Sequence, residues 1–505
     1  MPRSPLTLLR RLATAGLALS LAVAIVADLG PPRPSAPRPG PGTVKDVPLS
    51  FATGSVAGRL GGVEPARLQA TAGQRGSWTS APVPLNGARM VGLSWRNTPH
   101  GPWTVIDGAG VWLRTSTASG WSGWSAAEPA DDGPDPGSAE DRQQRVFSDA
   151  VWLPADTNAV QVRVDLPGYH TASVERLNAH LVSPDPSPLV PDQPPRGAAV
   201  AATAKPAIIS RARWGADERL RGGPPSYADT VKAAFVHHTA QSNRYSKRES
   251  AALVRADYLY HVRTRGWNDI GYNFLIDRFG QVFEGRAGGV DRPVIVACTA
   301  GFNTRTSCVA LLGTFSTSRP PAASMAALRR LLAWKLDLTH VDPAYTTVLT
   351  SAGGSTSRYR RGTRVRLRTI SGHRDTSFTS CPGARVYSSI TGLRVAVAAL
   401  GGPKIYGGAT SAATVNPGTT RVGLPLRFNR TVRWWVKVAA ADGRVMRRWA
   451  GISRATRIVW DGRDAHGQAA VAGRATFTAT AMVGGRRARP LTASVLVGGA
   501  TTTQE

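Results

Sequence analysis

"KAAFVHHTAQ", Lys232–Gln241, is an apolar run that ends on two adjacent histidines. Its continuous apolar stretch is the pattern of a buried strand. Side chains alternate along a strand, so His237 and His238 point to opposite faces and only one of them can serve a given site. Further strand-like runs follow at "NFLIDRFGQVFEG" (residues 273–285) and "CVALLGTF" (residues 308–315). Between and after them, "SKRESAALVRADYLYHVRTR" (246–265) and "AASMAALRRLLAWKLDLTH" (322–340) carry apolar residues at helical spacing. Helices alternating with strands predict a central α/β domain over residues 208–400, a mixed sheet with flanking helices.

A second histidine lies in "TISGHRDTSFTSCPG" (369–383), where His373 stands eight residues ahead of Cys381 in a chain with only 3 cysteines. Imidazole nitrogen and thiolate sulfur can converge on one ion if the loop between them folds back. The plainer alternative is a loop histidine and an inert buried thiol. With His237 or His238, the loop supplies three protein ligands, and three ligands with an open fourth position is the arrangement of a catalytic zinc.

The chain of 505 residues is too long for one core. "MPRSPLTLLRR" followed by "LATAGLALSLAVAIVA" reads as a signal peptide over residues 1–27, with an uncleaved anchor as the alternative. A Pro-rich linker is expected over 28–44, and a Pro/Ala-rich one over 186–207. Residues 45–185 show short alternating runs such as "AVQVRVDL" and predict an all-β sandwich. Its insert "EPADDGPDPGSAEDRQQR" (128–145) reads as an exposed acidic loop. After a linker at 401–415, residues 416–499 predict a C-terminal Ig-like β domain.

The net charge of +30 is uneven. Lys+Arg against Asp+Glu is 11 to 14 over residues 45–190, 30 to 13 over 191–400 and 16 to 4 over 401–505. A basic surface draws anionic partners. No nucleic-acid motif accompanies the charge, and an export signal argues instead for an anionic envelope polymer, such as a wall polymer, or a membrane surface; plain solubility with an Arg-biased composition is the alternative.

Five motifs, in order, resemble the zinc amidases of peptidoglycan, the family that also holds the peptidoglycan recognition proteins. They are "RARWGA", "VHHTA", "RGWNDIGYNFLIDRFGQVFEGR", "AGFN" and "GHRDTSFTSCPG", within residues 207–400. The resemblance implies Zn2+ held by His237, His373 and Cys381, with His238 as the opposite-facing neighbour. It implies that Tyr272 lies beside the metal-bound water and the reacting carbonyl, and that Thr379 helps hold the oxyanion. The implied substrate bond is the amide between N-acetylmuramic acid and L-alanine in peptidoglycan, cut by a secreted, wall-associated enzyme. A recognition module that binds peptidoglycan without cutting it is the alternative.

No carboxylate in these motifs declares itself as general base; Glu284 and Asp375 are candidates by type, each with a structural role beside Arg286 or Arg374 as the alternative. "VACTAGFN" (296–303) departs from the family by carrying Val296 and Cys298 where glycine and histidine are usual, and Cys308 replaces a glycine. Cys298 and Cys308 are expected either as a disulfide or as two buried thiols. In "RVRLR", Arg364, Arg366 and Arg368 fall on one strand face, either a cationic rim to the groove or a solvated face. Trp112, Trp121 and Trp124 read either as sugar-stacking residues or as core and turn anchors. "DGRDAHG" near the C-terminus reads as a turn.

Overall fold

The computed structural model describes residues 40, 42–51, 68–70, 76–98, 110–141, 145–166, 172–189 and 203–498. The expected signal peptide, nearly all of the first linker and much of the second lie outside the described residues. No helix among the described residues is long and apolar enough to cross a membrane.

The N-terminal part is a two-sheet β structure. One sheet runs in the order Thr43–Pro48, Ala172–Ser183, Met90–Thr98, Val151–Trp152; the other runs Gly76–Thr79, Ala159–Leu166, Gly110–Thr117, Gly120–Trp121. Residues 159–166 alternate half-buried and buried, and Val160, Val162 and Val164 meet Leu93, Trp95 and Leu181 in a shared core. The three tryptophans anchor one another through arginines. The Arg114 guanidinium lies 4.8 Å from the Trp121 ring and 4.5 Å from Trp124, while Arg163 sits between Trp124 and Trp112 at 5.0 and 5.3 Å.

The central sheet contains β1 (Ala233–His238), β2 (Phe274–Ile276), β3 (Val282–Glu284), β4 (Thr306–Leu311) and β5 (Ile370–Gly372). Its order is β3-β2-β4-β1-β5, parallel except for the β2–β3 pair. Helix α1 (Ser250–Leu259) covers one face, and α2 (Ala322–Asp337) with α3 (Ile390–Ala399) covers the other. Alternation sorts β1 accordingly. Ala233 and Phe235 pack with Leu253 and Ala256 of α1; Ala234 and Val236 pack with Leu328 and Leu332 of α2. Being covered on both faces is why β1 and β4 are buried at every position.

The C-terminal part joins seven strands into one sheet around its own core of residues such as Val422, Trp460 and Phe477. Two short strands, Ile405–Gly407 and Thr414–Val415, belong to it, so the expected linker at 401–415 is in part sheet. Their apolar Ile405 and Val415 are fully buried, a fate that a Gly-rich local sequence does not announce. "DGRDAHG" is a turn, with Asp464 accepting the His466 and Gln468 N–H groups.

Candidate metal centre

Strand register brings the two histidines together. β1 runs parallel to β5 with Val236 opposite Gly372, so the next residues, His237 and His373, leave the sheet side by side. Their ring centroids are 4.5 Å apart. The carboxyl ends of parallel strands are where open α/β sheets place their sites. Cys381 then returns to the pair. Arg374 donates its N–H to the Cys381 carbonyl at 3.0 Å, and the Thr379 hydroxyl accepts the Cys381 N–H at 2.8 Å. Gly383, at φ +83°, lies against the Phe315 backbone where a Cβ would clash, so only glycine lets the loop pass there.

The ligand atoms of His237, His373 and Cys381 all lie within 4.8 Å of one another. His237 Nδ1 is 3.6 Å from Cys381 Sγ. A tetrahedral zinc with ordinary bond lengths would set a nitrogen and a sulfur at about 3.5 Å, so this spacing suits one shared ion. His373 supplies a second test: it is completely buried, its Nε2 has no partner, and its Nδ1 makes no aligned hydrogen bond, with the Asp131 carboxylate 3.2 Å away. Buried polar atoms without partners are costly, and a bound cation is the natural remedy. On His237 the other ring nitrogen, Nε2, lies 3.2 Å from the Thr299 hydroxyl, which orients the ring and leaves Nδ1 facing Cys381.

The electrostatics of these side chains suit a cation. Burial, then the neighbouring His373 and His238, holds His237 well below its usual range, so the ring is neutral and keeps its lone pair. Burial pushes the Cys381 thiol well up, aided by Asp131; a coordinated metal ion reverses that balance and binds the thiolate. His238 is directed elsewhere, as alternation requires. Its Nδ1 accepts the Phe315 N–H at 3.2 Å, and burial lowers its pKa to about 4.

Cys298 and Cys308 also reach toward His237, but they are joined in a disulfide with Cα atoms 6.6 Å apart. Of the two expectations for this pair, the bridge is the one found. Tyr272 stands beside the cluster with its ring 5.5 Å from that of His237, and it is only 6% exposed. Burial, then Asp132, raises its hydroxyl well above the ordinary range, so it is a proton donor. Thr379 is half-buried, and its hydroxyl holds the turn that delivers Cys381.

Neither motif carboxylate is found on a metal-site residue. Glu284 accepts the Arg211 N–H at 3.2 Å, and Asp375 accepts the Gly372 N–H at 2.9 Å and the Tyr387 hydroxyl at 2.5 Å. Arg364, Arg366 and Arg368 do share one exposed strand face. Arg364 lines a hollow of 720 Å³ with Lys232 and Arg305, and no member of the metal cluster borders it.

The carboxylates that do reach the cluster come from the N-terminal part. The insert at 128–141 is not the exposed loop that its composition suggests. Asp131 Oδ1 lies 3.2 Å from His373 Nδ1, and Asp132 Oδ2 accepts the Tyr272 hydroxyl at 3.0 Å. Asp132 also pairs with Arg265, and both side chains are almost fully buried. Burial opposes the charge of Asp132, but Arg265 and His261 beside it hold the carboxyl below its ordinary value. Charge complementarity draws the loop in: its acidic residues answer the basic centre of the molecule. The contrast between the two regional charge balances is the only sequence signal of this, and it names no partners.

Residues 227–384 match the family model described as N-acetylmuramoyl-L-alanine amidase. The central domain belongs to that family. Residues 88–196 match a second model, Rv3811 N-terminal galactose-binding domain-like. The chain is 29% identical over 185 residues to peptidoglycan-recognition protein SC2 of Drosophila melanogaster, an alignment spanning 36% of this chain and 84% of that one. It is 35% identical over 126 residues to N-acetylmuramoyl-L-alanine amidase of Sus scrofa, covering 25% of this chain and 20% of the relative. Among solved structures it resembles Drosophila PGRP-LB at 27% identity, over 37% of this chain and 92% of that chain, with a TM-score of 0.29. The family thus joins peptidoglycan amidases and peptidoglycan recognition proteins, and this chain carries its central domain behind a galactose-binding-like one.

Proposed function

We propose that this protein is a secreted zinc hydrolase that cuts the amide between N-acetylmuramic acid and L-alanine in peptidoglycan. The observation that carries the reading is the meeting of His237, His373 and Cys381, with His373 buried and its Nε2 without a partner. Zinc held there would lower the pKa of a bound water to roughly 7 and polarise the acyl oxygen. The chain's own residues supply the rest. Thr299 keeps the His237 ring turned toward the metal. The Tyr272 hydroxyl, kept protonated by burial, donates to the oxygen on which negative charge develops. Thr379 lies two residues before Cys381 and adds a second donor once its proton turns to the substrate.

The signal-like residues 1–27 support export, and the family's ties to peptidoglycan support the wall as its place of action. The basic C-terminal part, read as an Ig-like module, suits contact with anionic wall polymers. A second reading, binding without cleavage, draws on one observation: Asp131 and Asp132 already occupy the surroundings of His373 and Tyr272.

The test is to incubate the zinc-loaded full chain with purified peptidoglycan and look for newly exposed L-alanine amino groups. Their appearance, abolished by a chelator and restored by zinc, is the expected result. Zinc-bound protein that releases none from walls of several peptide types would leave the recognition reading in its place.

A further inference from the structure

The loop at 128–141 is bound in the manner of a peptide ligand. Its ends are fixed in the N-terminal sheets, where Ser125–Ala126 pairs with Trp112–Leu113 and Val146–Phe147 pairs with Ser94–Trp95. Between these anchors it crosses the centre of the amidase domain. Its main-chain carbonyls accept side-chain donors one after another: Asp131 from Thr356 at 3.0 Å, Asp132 from Arg265 at 2.8 Å, Gly133 from Asn303 at 2.8 Å and Pro136 from Arg361 at 2.9 Å. Its carboxylates are received as well. Asp135 takes the Gly301 N–H at 2.8 Å and the Asn303 amide at 2.9 Å. Glu140 meets Arg286 through two bonds of 2.7 and 2.8 Å, the paired geometry by which arginine recognises a carboxylate.

This occupancy is incompatible with chemistry. The Tyr272 proton is engaged by Asp132, and Asp131 stands against His373. The cavity left beside Tyr272 holds 20 Å³, room for about one water, whereas a ligand pocket needs hundreds of Å³. The three ligand side chains, His237, His373 and Cys381, are themselves buried.

We infer that residues 128–141 form a tethered acidic peptide that closes the site, and that Arg265, Asn303 and Arg286 are the donors which grip the carboxylate-bearing stem peptide of the substrate once the loop withdraws. This rests on the amidase-family reading of the groove. The physical logic is competition. A segment tethered at both ends acts at an effective concentration on the order of mM, so a single soluble peptide displaces it poorly. A wall dense in acidic stem peptides displaces it well, which confines hydrolysis to the polymer.

The experiment uses the zinc-loaded full chain and a soluble muramyl tetrapeptide, with binding followed by calorimetry. The double variant Asp132→Asn, Glu140→Gln weakens the loop and is expected to bind the peptide at least about tenfold tighter than wild type. Because that variant strands two buried arginines, a second measurement uses wild type alone: hydrogen exchange over residues 128–141 should rise when the peptide is added. Unchanged affinity in a folded variant, unchanged or slower exchange in the loop on binding, or no binding by either protein overturns the inference. Binding that frees the loop while no amide is cut upholds the loop and overturns the hydrolase. Cleavage with the loop still protected does the reverse.

Discussion

Two loops meet at Tyr272 and His373, and they differ in how each was readable. The loop at 369–383 declares itself locally. A histidine, a cysteine, a proline and a glycine stand at a fixed short spacing, and the structure folds them back onto His237 as that spacing requires. The loop at 128–141 is richer still in proline and charge, yet its composition is that of a solvated excursion. Its partners, Arg265, Arg286 and Asn303, lie more than a hundred residues away. Local spacing encodes a site whose donors share one turn; a contact between domains leaves no such trace.

The largest expected effect falls on the first loop's partner strand. His237→Ala should lose bound zinc and at least about 10³-fold in amide cleavage, whereas His238→Ala should keep the zinc; equal losses in both would break the distinction between the two faces of β1. Tyr272→Phe should keep the metal and lose about 10²-fold in kcat, since it removes one donor to the developing oxyanion. It also removes one hydrogen bond from Asp132, so faster exchange in residues 128–141 of this variant would sharpen the link between the loops.

A smaller change is expected at the disulfide. Replacing Cys298 and Cys308 together by alanine should weaken the central domain by about 2–3 kcal/mol, the cost of reopening a short loop, read from its denaturant midpoint. Zinc content should stay unchanged, because neither cysteine is counted among the proposed ligands.

A pH-dependent effect concerns Asp257, buried near Asp132 in the cavity beside Tyr272. Burial raises its pKa to about 8, well above the unfolded value. The stability of wild type therefore falls as pH rises from about 4 toward 8, because the unfolded chain sheds that proton first. Asp257→Asn cannot titrate, so its thermal midpoint should gain on wild type over that range and level off above it. A constant difference between the two proteins from pH 5 to 9 would contradict the assignment.

Much of the fold was legible because its signals are periodic. The opposite facing of His237 and His238 follows from strand alternation, and the exposed arginines of Arg364–Arg368 follow from the same rule. What escaped was long-range. Nothing local separates Asp375 and Glu284, each engaged in its own backbone contacts, from Asp131 and Asp132 at the site. The strands at Ile405–Gly407 and Thr414–Val415 were hidden for a related reason: a segment of two or three residues becomes a strand only when a partner edge is present.

The most direct test is to measure zinc content and released L-alanine amino groups on the same preparations of wild type and Cys381→Ser. About one zinc per wild-type chain and L-alanine release from peptidoglycan are expected, with both lost in the variant. Zinc retained at full stoichiometry in Cys381→Ser, or wild type that holds none, would contradict the ligand assignment.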